Sequence, residues 1–186
     1  VPEEQVLEEA GRLVRRGVKE LIVVAQDTTY YGVDLYGERR LGRLLRRLAA
    51  IPGVEWVRLH YTYPTGFPDD VLAAIREEPE ICRYIDITKR GTEELIARLR
   101  REVPGIAIRT TLLVGFPGES EEDFAELTDF VERQRFERLG VFPYSAEEGT
   151  PSAEMADDVP EEVKQARVER IMELQRNISH EANVAR

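Results

Sequence analysis

Leu21-Ile22-Val23-Val24-Ala25, running directly into Gln26-Asp27-Thr28-Thr29-Tyr30-Tyr31-Gly32, is the first clear statement of architecture in the chain. Five apolar residues, β-branched at their centre, make a strand-length run without alternation, and such runs are expected to be buried on both faces, as in parallel sheets. The polar segment after it reads as the loop leaving that strand at its C-terminal end. Before the run, Pro2-Glu3-Glu4 suits a first helical turn, because proline is tolerated there and acids favour the positive end of the helix dipole. Val6, Leu7, Ala10, Leu13 and Val14 follow at helical spacing until Gly17.

The same alternation continues along the chain. A helix is expected over 39–50, stopped by Pro52-Gly53, then a strand over 55–61 and a helix over 68–78 opened by Pro68. A short strand over 84–87 and a helix over 92–101 precede the turn at Pro104-Gly105. Residues 106–114 form the longest strand candidate, rich in Ile, Thr, Leu and Val. Ser120-Glu121-Glu122-Asp123 resembles a capping box for a helix with Phe124, Leu127, Thr128 and Val131 on one face. A strand over 139–142 and a long helix from Pro160, with Val168, Ile171, Met172 and Ile178 inward, complete the series. Regular alternation predicts an α/β fold of right-handed βαβ units with a parallel sheet or barrel. Opening on a helix implies an earlier strand that is missing or lies outside the chain.

Composition bounds the class. At 186 residues and 21.3 kDa, with 42% hydrophobic and 33% charged residues, a single domain is favoured and disorder is excluded. No apolar run approaches the roughly 18 residues of a membrane helix, no secretory segment opens the chain, and one cysteine cannot build a disulfide framework. A soluble, cytoplasmic protein is expected. The net charge of −10 argues against a dominant phosphate-backbone mode of nucleic-acid binding. It would draw in a basic protein partner, although an acidic surface serves solubility equally well.

Ligands in parallel α/β folds bind at the C-terminal ends of the strands. Four polar loops, 25–32, 60–66, 115–120 and 143–150, fall on that rim. Gln26 and Asp27 either face a ligand or simply cap the turn. Gly115 and Gly118 flank a tight strand-to-helix turn whose amides suit an anion, and a plain turn explains them as well. His60 is a general-base candidate or a hydrogen-bonded structural histidine. Arg109, inside an apolar strand, needs a partner or a ligand carboxylate. Cys82 reads as a buried small hydrophobe. No nucleophile elbow, Walker loop, His-Glu-x-x-His, paired Cys-x-x-Cys or dinucleotide fingerprint is present.

The loops carry more than their physics. Ala-Gln-Asp-Thr-Thr-Tyr-Tyr-Gly (25–32), Val-Arg-Leu-His-Tyr-Thr-Tyr-Pro-Thr-Gly (57–66), Leu-Val-Gly-Phe-Pro-Gly-Glu-Ser (113–120) and Tyr-Ser-Ala-Glu-Glu-Gly-Thr (144–150) together resemble the radical S-adenosylmethionine methylthiotransferases, over essentially the whole chain. Ala25-Gln26-Asp27 and the His-Tyr-x-Tyr-Pro pattern at 60–64 are similar to the branch that methylthiolates an aspartate of small-subunit ribosomal protein twelve, rather than the branch acting on an adenosine derivative of tRNA. A non-catalytic α/β binding module is the reading from a different class.

The resemblance implies a partial parallel (β/α) barrel, S-adenosylmethionine as cofactor, and 4Fe–4S clusters. Of the clusters, one is held by Cys-x-x-x-Cys-x-x-Cys and a second lies in a separate N-terminal domain. Cluster thiolates need several cysteines, and this chain has one, so no metal ligand is assigned here and the chain alone is expected to be inactive. The cysteine loop is expected just upstream of Val1, with the first strand, the N-terminal cluster domain and a C-terminal TRAM-type domain also outside residues 1–186. A family segment on the order of 15 residues is expected to be missing between Ile87 and Thr88. Carried over, Gln26, Asp27, Arg109, Gly115, Gly118 and Glu119 are the cofactor-binding candidates, with Arg109 a partner for the cofactor carboxylate. Tyr30, His60, Tyr63 and Tyr144 are rim candidates for cofactor or substrate. The implied partner is the ribosomal protein as substrate, with no membrane and no strong nucleic-acid binding by this domain. The sulfur and electron donors are not legible.

Overall fold

A computed structural model describes residues 1–87 and 93–184. The expected helix start at Thr92 and the residues following the join at Ile87 lie outside the described residues. The chain forms two compact units, Val1–Ile108 and Arg109–Arg186.

The first unit runs α1 (Glu3–Arg15), β1 (Glu20–Val23), a 3-10 turn (Thr28–Tyr30), α2 (Val33–Tyr36), α3 (Leu41–Ala49), β2 (Trp56–Leu59), α4 (Asp69–Glu77), β3 (Tyr84–Ile87) and α5 (Glu93–Glu102). β1 and β2 are parallel, with Leu21 beside Val57 and Val23 beside Leu59. β3 follows β2 in parallel through Val57–Ile81 and Thr62–Ile87 bridges. Parallel neighbours require crossover helices, and these pack on one face: α3 lies on β2 and on α4, and α1 lies on α3.

One-sided packing corrects the expectation that residues 21–25 are buried on both faces. Leu21, Val57, Leu59, Ile85 and Ile87 are buried beneath the helices, but Ile22 is 55% exposed and Val24 58% exposed. Strand side chains alternate, and Ile22 and Val24 stand on the β1 face away from the helices. The α1 stripe is also shallower than its periodicity suggests: Ala10 is buried, Leu13 is exposed, and Val6, Leu7 and Val14 are half-buried. α1 is held instead through buried Glu3, whose carboxylate meets Arg47 at 2.8 Å and Arg43 at 3.3 Å. Gly42 sets the approach of α3 to α4, because a Cβ there would lie 2.4 Å from Asp70 Oδ2 and 2.7 Å from the Asp70 backbone.

The second unit contains β4 (Ala107–Val114) from Arg109 onward, α6 (Glu121–Gln134), β5 (Arg138–Pro143), a 3-10 turn (Pro151–Glu154) and α7 (Glu161–Val184). β4 and β5 are parallel, from Arg109 beside Arg138 to Val114 beside Pro143. Thr110, Leu112, Val114, Leu139 and Val141 are buried, while Leu113 and Phe142 point to an exposed face. The capping box is present: Ser120 Oγ accepts the Asp123 amide and the Asp123 carboxylate accepts the Ser120 amide.

α7 corrects the expected inward face. Ile171 and Ile178 are buried and Val168 is half-buried, but Met172 is 37% exposed. The buried stripe is Lys164, Arg167, Ile171, Gln175 and Ile178, against β5 and α6. Three of those five are polar, so apolar periodicity alone selects the wrong neighbours. Arg167 is matched by Glu119, and Gln175 Nε2 donates to the Phe136 carbonyl at 2.9 Å.

Candidate functional site

In the first unit the loops after β1 and β2 meet at the C-terminal ends of the strands. Asp27 caps the 3-10 turn: its carboxylate accepts the Thr29 amide at 2.9 Å and the Thr29 hydroxyl at 2.5 Å. The capping reading of Asp27 therefore holds, and Gln26 beside it is exposed. Thr28 is buried and crosses to the next loop, its amide and its hydroxyl both donating to the Tyr61 carbonyl, at 3.2 and 2.9 Å. Tyr61 has φ of 54°, in the left-handed region that bulky side chains rarely occupy. Thr62, fully buried, donates its amide (2.9 Å) and hydroxyl (2.6 Å) to the Asp86 carbonyl on β3. Strained backbone persists where neighbours over-determine it, and such places cluster at functional sites.

His60 sits between these locks on the open face of the sheet. Its Nδ1 lies 3.6 Å from Asp86 Oδ2, an ion-pair distance rather than a hydrogen bond, and Asp86 is 2% exposed. The imidazole is 5.4 Å from the Tyr84 ring and 6.2 Å from the Tyr61 ring. Arg58 stands 5.1 Å from the Tyr84 ring and pairs with Glu20 at 2.6 Å. The open face thus carries a continuous polar row, Glu20–Arg58–Tyr84–His60–Asp86, from the foot of the strands to the rim. Among the other candidates, Tyr30 is exposed beneath the Arg39 guanidinium at 4.6 Å, and Tyr63 is half-buried. Asp86 was legible in the way Arg109 was, as a charge inside an apolar strand. The two threonine locks and the backbone of Tyr61 leave no such trace.

In the second unit the Gly115–Glu119 turn is closed by its own carboxylates. The Gly115 amide donates to Glu119 Oε1 at 2.9 Å, and the Gly118 amide donates to Asp158 Oδ1 at 2.7 Å. The anion that these amides suit is therefore supplied by the chain itself. Arg167, 5% exposed, reaches the same Glu119 oxygen at 2.7 Å and Glu121 at 2.6 Å. Gly115 is required twice over: φ is 72°, and a Cβ would lie 2.4 Å from Lys164 Cγ. Tyr144, expected on the rim, is buried instead. Its hydroxyl donates to the Ser152 carbonyl at 2.8 Å, and its ring packs edge-on to Phe116. Arg109 is not brought to this turn. It lies six residues before Gly115 on an extended strand, about 20 Å along β4, beside Arg138.

The residues present do not fit a 4Fe–4S cluster. Cys82 is half-buried rather than buried, and burial pushes its thiol above the ordinary value despite Arg58 nearby. Among the described residues no three His, Cys, Asp or Glu side chains gather to hold a metal. Ile22 and Val24 in the first unit, and Leu113 and Phe142 in the second, present exposed apolar surface near the strand ends of each.

No family model matches the chain. Over nearly its whole length the sequence is RimO-like. It is 51% identical to the ribosomal protein uS12 methylthiotransferase RimO of Flavobacterium johnsoniae, covering 98% of this chain and 46% of that protein. It is 48% identical to the protein of the same name from Bacteroides thetaiotaomicron, over 98% of this chain and 46% of the relative. With that of Desulforamulus reducens it shares 49% identity over all of this chain and 46% of the relative. The chain thus spans about half the length of the curated relatives it matches. In fold it is similar to a radical S-adenosylmethionine methyltransferase, TsrM from Kitasatospora setae, solved with cobalamin and a 4Fe–4S cluster. That likeness has a TM-score of 0.57 at 19% identity, over 76% of this chain and 31% of the other, and it shows an α/β fold with parallel sheets.

Proposed function

We propose that this chain is the central portion of a RimO-type radical S-adenosylmethionine methylthiotransferase, folded as a partial parallel (β/α) barrel. The reaction replaces one C–H bond at the β-carbon of an aspartate in small-subunit ribosomal protein twelve with C–S–CH3. The observation that carries this reading is identity near one half, sustained from end to end of the chain, to proteins named for that activity.

S-adenosylmethionine supplies the methyl group and the hydrogen-abstracting chemistry when bound. This chain's own part is to bind and orient. The loops leaving β1 and β2, with Gln26 outermost and Tyr30, His60 and Tyr63 around it, are the proposed ligand contacts of the first unit. In the second unit Arg167 and Glu119 hold the Gly115–Glu119 turn in shape rather than offering free donors. The cluster is assigned to residues other than these 186, whose single cysteine cannot hold it. The net charge of −10 supports a basic ribosomal protein as the partner over an RNA phosphate backbone. No helix among the described residues is long and apolar enough to cross a membrane, and a cytoplasmic place beside the ribosome is proposed.

The test is anaerobic turnover by the full-length, cluster-reconstituted protein, offered ribosomal protein twelve and tRNA in parallel. Mass spectrometry is expected to find a methylthio group on an aspartate of the protein and none on the RNA. Modification of the tRNA alone would assign the enzyme to the other branch, and failure to assemble any cluster would favour a binding module.

A further inference from the structure

Among the described residues, His60 is a titratable side chain on the rim of the first unit that is held on several sides yet keeps one functional atom unengaged. Its backbone is pinned at both groups: the amide donates to the Val23 carbonyl at 3.1 Å, and the carbonyl accepts the Thr28 hydroxyl at 3.2 Å. Its ring is walled by Tyr84 and Tyr61. The Asp86 carboxylate faces Nδ1 at 3.6 Å, and a carboxylate on that side orients the ring. Nε2 has no hydrogen-bond partner among the described residues. Among the described residues, the charged and titratable groups facing the ring are Asp86 on β3 and the Tyr84 and Tyr61 hydroxyl-bearing rings, with the Arg58 charge beyond Tyr84 matched by Glu20.

The geometry points to His60 as a carboxylate-binding residue, with Asp86 as the residue that positions it. As an imidazolium it pairs through Nδ1 with Asp86 at ion-pair distance and donates from Nε2 to the incoming carboxylate. This inference rests on the proposed function, in which two ligands carry that group: the aspartate side chain of the ribosomal protein and the amino-acid end of S-adenosylmethionine. Both present the same chemistry at the rim. A histidine faced by a buried carboxylate suits this task because Asp86 orients the ring from the Nδ1 side and leaves Nε2 to make a charge-assisted hydrogen bond to an incoming anion.

The experiment uses the full-length, cluster-loaded protein with His60→Gln and Asp86→Asn variants, folding checked by circular dichroism. S-adenosylmethionine affinity is measured by calorimetry, and KM and kcat for the ribosomal protein are measured from pH 6 to 8. Loss of a charge-assisted hydrogen bond predicts a weakening of about ten- to a hundredfold in one of the two ligands. The Asp86→Asn variant is predicted to lose affinity at a lower pH than the parent. A ribosomal protein carrying Asn at the modified position separates the sources. If His60 reads that side chain, the two substitutions are non-additive and S-adenosylmethionine affinity is unchanged. If His60 reads the cofactor, the effects add and calorimetry shows the loss. His60→Gln that leaves both affinities within twofold overturns the inference.

A second readout needs no turnover. The sequence holds two histidines, so the imidazole of His60 is assigned in NMR by comparison with a His180→Gln variant. Added S-adenosylmethionine or ribosomal protein is expected to keep His60 charged to higher pH. Titration unaffected by either ligand, and unaffected by Asp86→Asn, would also overturn it. A parent protein that modifies nothing, yet shows the His60 shift, would sink the proposed reaction and leave the carboxylate site standing.

Discussion

Arg167 and Glu119 show how much of the rim turn in the second unit rests on one buried pair. Arg167 is 5% and Glu119 13% exposed at the side chain, and Glu119 also receives the Gly115 amide. Removing one partner of such a pair leaves the other desolvated and unmatched, so Arg167→Met is predicted to cost about 3 kcal/mol in urea unfolding. A loss below about 1 kcal/mol would mean that the pair is solvated in solution. Cys82 makes a different prediction. Burial raises its thiol above the ordinary 9.0, against a smaller opposing pull from Arg58. The folded state therefore keeps its proton longer than the unfolded state. That contribution is intact below pH 9.0 and declines as the pH climbs through it. Alkylation at pH 8 should accordingly run slower on the folded protein than on the same protein in urea, and equal rates would contradict the assignment.

Helix packing carries its own tests. Gly42 lies where α3 meets α4, and an added Cβ would collide with Asp70, backbone included. Gly42→Ala is predicted to destabilise by about 1–3 kcal/mol even though alanine is the better helix former. Ser120→Ala, which breaks the capping box of α6, is predicted to lose about 1 kcal/mol. Both are read from denaturant midpoints at constant slope. The elements themselves were largely legible, because capping residues, Pro-Gly turns and apolar periodicity are local signals. Burial was less so. Residues 21–25 read as doubly buried because an apolar run looks the same whether its second face meets a helix layer or a ligand. The inward face of α7 escaped because Lys164, Arg167 and Gln175 are buried by partners distant in sequence, which periodicity does not encode. The rim loops could be placed from strand order alone, whereas Tyr144 and the Gly115 and Gly118 amides proved to be occupied within the unit by Ser152, Glu119 and Asp158.

Across the molecule, each of the two units pairs its strands in parallel with helices on one sheet face, and the sequence is 51% identical over 98% of its length to a protein named RimO. The faces away from the helices carry exposed apolar side chains and, in the first unit, the Glu20–Asp86 row, where ligand binding is proposed. The activity proposed for the working protein is modification of ribosomal protein twelve. The direct measurement is the intact mass of that protein from ribosomes of cells with and without the full-length gene encoding this chain. One methylthio group is predicted on the ribosomal protein when the gene is present, and none when it is deleted. An identical, unmodified mass in both strains, with a methylthio group appearing on tRNA only when the gene is present, would contradict it.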